Sequence, residues 1–87
     1  MSKIAAIVHR FPERELEIHR LCIRDEEFLG ACEDFADASA ALHHWQSKEG
    51  AIAAGRAGEY RALVEELAAV VLAALDAQRP GKHDTHG

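Results

Sequence analysis

His19 and Cys22 stand three residues apart, a spacing that sets two side chains on one face of a helix, and Cys32 follows ten positions after Cys22. Imidazole and thiolate are ligands that zinc accepts, and thiols also carry redox chemistry. A small metal-binding or redox module built on His19, Cys22 and Cys32 is therefore one reading of these residues. It is incomplete as a zinc site, which wants three or four tetrahedral ligands, and the chain has no paired C-x-x-C. His43 and His44 are adjacent, so on a helix they point about 100° apart and could share a metal only across a two-fold axis between chains. The Glu-x-x-His repeat that builds metal centres in helical bundles is missing. His83 and His86 fall in a polar tail, where weak adventitious metal binding is the expectation. Free cysteines behave as small apolar residues. The plainer expectation is thus that Cys22 and Cys32 are buried and reduced, with His19 exposed.

Carboxylates are the other candidates for chemistry. Glu26, Glu27, Glu33, Asp34 and Asp37 could supply an acid/base pair or a cation site, but most of them fall on the solvent side of an apolar helical seam. No serine has a base at supporting spacing and no glycine-rich motif follows a strand. The expectation is a non-enzymatic protein with no catalytic residue, no cofactor and no metal.

The elements that carry these residues read as helices. The chain has 87 residues, 48% of them hydrophobic, and a formal net charge of −5. That length allows one domain, which buries on the order of 60% of the surface its unfolded chain exposes. Residues 13 to 37 hold nine Asp or Glu against Arg14, Arg20 and Arg24, a surface that repels phosphate backbones, so nucleic acid is disfavoured as a partner. The apolar stretch Ile4 to Val8 is too short for a secretory segment, and the reading is a cytoplasmic protein with no membrane association.

Ile4, Ile7, Val8 and Phe11 have helix-like spacing that Pro12 interrupts, which leaves the order of residues 1 to 11 open. A first helix is expected from Pro12, with Leu16, Ile18, Leu21 and Cys22 as its stripe, and a break near Arg24 and Asp25. Asp25 is the expected N-cap of a second helix running from Glu26 to Gln46. Phe28, Ala31, Phe35, Ala38, Leu42 and Trp45 recur along it at heptad spacing. Glycines at 50, 55 and 58 suggest a connection from Ser47 to Gly58. A third helix then begins near Gly58 or Glu59, presents Tyr60, Leu63, Val64, Leu67, Val70, Val71 and Ala74 on one face, and continues to about Gln78, ended by Pro80 and Gly81. Residues 12 to 78 would form the helical domain and residues 79 to 87 a disordered tail.

Folding the second helix onto the third about that connection sets Trp45 opposite Tyr60, Leu42 opposite Leu63, Ala38 opposite Leu67 and Phe35 opposite Val70. Phe28, Phe35, Leu42, Trp45, Tyr60, Leu63, Leu67 and Val70 are then the hairpin core. The run Leu67 to Leu75 has no charge or hydroxyl, and a helix apolar all round must be covered all round. Its uncovered back, Ala68, Ala69, Leu72 and Leu75, is the expected self-association surface. Pairing two hairpins there would complete a four-helix bundle, with the short first helix capping the open end. The fold class is all-α: a short N-terminal helix and a long antiparallel hairpin that dimerises.

Phe11-Pro12-Glu13, Ile18-His19-Arg20-Leu21 and Asp25 with Phe28 three residues on resemble the opening of the YdcH-like small helical proteins, also called the DUF465 family. The resemblance covers residues 11 to about 45; Phe35, Leu42 and the pattern Val71 to Leu75 also fall where that family keeps apolar seam residues. The chain departs from the pattern in a longer glycine-rich connection, in Glu65 and Glu66 where a basic start of the last helix is usual, and in the alanine-rich middle of its second helix. The resemblance implies an oligomeric helical hairpin with no established enzymatic activity and supplies no catalytic residue. Together with the surplus apolar surface, it leads to the expectation of a helical interaction or scaffold protein, a homo-oligomer that meets a further protein partner.

Overall fold

The computed structural model describes residues 3–78 and places four α-helices in that span. They are α1 (Ala5–Arg10), α2 (Glu15–Arg24), α3 (Glu26–Gln46) and α4 (Ala51–Ala77), with a 3₁₀ turn, Pro12–Arg14, between α1 and α2. Helices α3 and α4 pack as a long antiparallel hairpin, and α1 and α2 form an arm folded against it. No strand occurs among the described residues.

The junctions follow from local chemistry. Phe11, ahead of proline, is pushed out of the helical region to φ −127°, ψ 65°, and Pro12 opens the 3₁₀ turn, so α2 starts three residues later than the proline alone suggests. Asp25 is extended, and its carboxylate accepts the Glu27 and Phe28 N–H groups at 3.0 and 3.2 Å. This is the expected cap, and the bend between α2 and α3 falls at that one residue. Segment 5–10, whose order the sequence left open, is helical, and Ile7 within it is fully buried.

The connection is shorter than the glycines suggest. It spans residues 47–50 only, and Gly50 takes φ +105°, which a side chain would strain. Gly55 and Gly58 lie within α4 with open space around the position a Cβ would take. Each glycine weakens the helix by about 1 kcal/mol relative to alanine. Ala53 and Ala57, buried on its inner face, work in the opposite direction.

An earlier start changes both register and phase. Tyr60 stands about nine residues into α4, roughly 14 Å from the turn at ~1.5 Å per residue. It shares a cleft with Asp34, Asp37, Ala38 and Ala41 of mid-α3 instead of facing Trp45. The buried stripe of α4 is Ala53, Ala57, Val64, Ala68, Val71 and Leu75, turned by roughly 60° from the expected face at about 100° per residue. Leu63 and Val70, expected in the core, are 38% and 53% exposed. Leu42 and Leu67 pack part-buried at the edge of the core, while Phe28 and Phe35 are inside it. Trp45 is half-buried, with its ring edge-on to that of His44 at 5.1 Å, rather than a plug between helices.

The core concentrates where the arm meets the hairpin. Ile7 of α1 and Ile18, Leu21 and Cys22 of α2 join Phe28, Cys32 and Phe35 of α3 and Val64, Ala68, Val71 and Leu75 of α4 in one cluster. The expected capping by the first helix is thus present, and it is joined by α1. The expectation for α4 changes: Ala68 and Leu75, 3% and 1% exposed, lie on its buried stripe and offer nothing to a second copy in this arrangement.

Candidate functional site

Two apolar surfaces remain on α4, one on each side of its buried stripe. On the first side Leu63 and Val70 are exposed and alternate with part-buried Leu67 and Ala74 in an i, i+4, i+7, i+11 row. Part of this row floors an open cleft of about 370 Å³, lined by Asp34, Asp37, Ala38, Ala41, Tyr60, Leu63 and Leu67. Its polar groups are two exposed carboxylates and one phenol, with no nucleophile and base paired. Lys3 Nζ donates to Asp37 Oδ1 at 2.9 Å on the rim, and this bond, helped by the nearby Glu33 and Asp34 charges, raises the lysine pKa. The cleft has the chemistry of an apolar contact surface with an acidic edge.

On the second side, Leu72 is 36% exposed and Ala69 is exposed, in a shallow depression with Arg10, Phe11, Glu65 and Ala68. Arg10 donates from both terminal nitrogens to Glu65 at 2.9 and 2.8 Å, and its guanidinium lies 5.6 Å from the Phe11 ring centroid. Of the four residues expected on the self-association face, then, only Ala69 and Leu72 reach the surface. They lie beside a fork of charge.

Arg14 was not singled out by its position in the sequence. It is 8% exposed, the one buried charged residue among those described. Its Nε and Nη2 donate to Glu17 at 2.9 and 2.8 Å, and its Nη1 donates to Asp76 at 2.9 Å. These bonds hold the guanidinium in its charged form against the cost of burial. The i, i+3 pairing with Glu17 could have been read from spacing; the bond to Asp76, 62 residues away, could not. The node clamps the start of α2 to the end of α4, and both its acceptors are occupied by a structural partner.

The residues first considered for metal or redox chemistry separate into two environments. His19 is exposed and lies 3.6 Å from Glu15 one turn earlier. Cys22 and Cys32 are buried, with Sγ atoms 3.9 Å apart between α2 and α3. Burial pushes the Cys22 thiol up and the Cys32 thiol up to about 12. His43 and His44 are both exposed near the turn. No three His, Cys, Asp or Glu side chains converge on a metal-sized site among the described residues. His83 and His86 lie outside the described residues. No helix among the described residues is long and apolar enough to cross a membrane. Comparison with family models, with curated proteins and with solved structures returned no match.

Proposed function

We propose that this chain is a non-enzymatic helical interaction protein that self-associates through α4. The observation that carries the reading is the row Leu63, Leu67, Val70 and Ala74, which stays partly or largely exposed although it continues the apolar run of the helix. An apolar row four residues deep along a helix is the usual material of helix pairing. The surface put forward differs from the one expected from sequence, because Ala68 and Leu75 are already buried within the chain. Its acidic edge at Asp34 and Asp37 is the side from which a further protein would approach. A kinship with the YdcH-like hairpins is part of the same proposal and rests on residues 11 to 45.

Light scattering behind a sizing column tests it. The full chain should elute as a dimer or small oligomer at micromolar concentration, and Val70→Glu combined with Leu63→Glu should return it to a monomer with unchanged helicity. A wild-type monomer across that range would overturn the reading.

A further inference from the structure

Cys22 and Cys32 lie on separate helices, in van der Waals contact through sulfur, at the point where the arm rests on the hairpin. The two helices meet at a single extended residue, Asp25, so a small rotation there changes the distance between them. We propose that Cys22 and Cys32 form a reversible intramolecular disulfide by exchange with a low-molecular-weight disulfide, pinning α2 to α3. The inference does not rest on self-association, since every residue it uses belongs to one chain.

Three observations support it. The sulfurs are already 3.9 Å apart, so bonding requires an approach of roughly 2 Å to reach the ~2.05 Å of an S–S bond. The Cys22 thiol donates to Cys32 Sγ, so the two sulfurs already face each other across the interface. The two also differ in access: Cys22 is 8% exposed at the edge of the arm and Cys32 is 0% exposed beneath it. That asymmetry assigns Cys22 as the thiol that meets the reagent and Cys32 as the thiol that resolves.

The exchange is balanced. Cys22, deprotonated when α2 lifts, attacks one sulfur of the reagent RSSR; the reagent's S–S bond breaks and RS⁻ leaves, giving a Cys22–SR mixed disulfide. Cys32 loses its proton and attacks the Cys22 sulfur, forming the Cys22–Cys32 bond and expelling the second RS⁻. Two protein thiols are oxidised, one RSSR is reduced to two RSH, and the two protons from the protein end on the two departing thiolates. Burial raises both thiol pKa values, so the reaction waits on a movement of α2, and the reagent must gain entry at the Cys22 side.

The full chain is incubated with glutathione disulfide and reduced glutathione at a series of ratios, then alkylated and weighed, with peptide mapping under non-reducing conditions. The expected product is a chain with no covalent link to another, about 2 Da lighter, with residues 22 and 32 linked and both thiols lost to alkylation. Cys32→Ala should stop at the Cys22–glutathione adduct. Cys22→Ala should lose the reaction, because its remaining thiol lies at the floor of the interface. Stable adducts on both wild-type thiols, disulfides between chains, or oxidation that proceeds only at denaturant concentrations that unfold the helices would each overturn the proposal. Circular dichroism of both alanine variants confirms that each is folded before its reactivity is compared.

Discussion

Replacing Ile7 with alanine tests whether α1 is a working part of the core. A six-residue helix is far too short to persist by itself, since isolated helices below about 12 to 15 residues are marginal in water. It is held by burial, and Ile7 is its one fully buried side chain. The substitution removes three carbon atoms, a transfer loss of roughly 2.4 kcal/mol at about 0.8 kcal/mol per methylene. A residual cavity adds about 24 cal/mol per Å³ left unfilled. Because a helix of six residues can settle inward against the core, this second contribution is the smaller, and the expected total is about 3 kcal/mol. A domain of this length has a stability of roughly 4 to 13 kcal/mol, so the loss is a large fraction of it. Urea unfolding followed by circular dichroism should show a lower midpoint, and the thermal midpoint should fall by roughly 12 to 24 °C. Ile52→Ala is the matched control, because Ile52 is 78% exposed and should move stability by less than about 0.5 kcal/mol. Equal midpoints for the two variants would refute the burial of Ile7 and with it the part that α1 plays in the core.

Three further outcomes follow from local geometry. Asp25→Ala removes the acceptor for two N–H groups at the start of α3 and should cost about 1 kcal/mol in the same urea assay, with Asp25→Ser recovering most of it. Gly50→Ala should destabilise by about 1 kcal/mol or more, because φ is +105° there, whereas Gly55→Ala should stabilise by about 0.5 to 1 kcal/mol, being helical with open space around it. The Arg10 bond depresses the Glu65 carboxyl below its ordinary 4.5, so its stabilising effect is complete above that value and is lost as pH falls through the depressed one. Glu65→Gln should flatten that part of the acid limb in a stability-versus-pH series. The difference should shrink as salt is added, since the pair is exposed.

Much of the architecture was legible along the chain. The Asp25 cap, with Glu26 and Glu27 behind it, marks the start of α3 because a carboxylate at that position satisfies orphan N–H groups whatever the rest of the fold does. The heptad apolar pattern on α3 located Phe28 and Phe35 in the core, because 3.6-residue periodicity is a property of the helix itself. On α4 the pattern placed Val64 and Val71 inward but also Leu63 and Val70, because the helix is apolar on too many sides for the sequence to fix its rotation. Its inner face was set by the length of the turn, and Gly55 and Gly58 misled because glycine is unfavourable but permitted in a helix whose neighbouring alanines pack.

The candidate sites divide in the same way. From sequence alone come the all-α class, the capped bend between α2 and α3, the acidic outer surface and a chain with more apolar helix than a bare hairpin can hide; these are set by local propensity, periodicity and charge. Only the tertiary structure decided that Ala68 and Leu75 face inward, that Leu63 and Val70 are left outside, that Arg14 reaches Asp76, and that Cys22 meets Cys32. Each of those depends on contacts between segments far apart along the chain or on the rotation of one helix about its axis. Spacing within a segment carries no information about either.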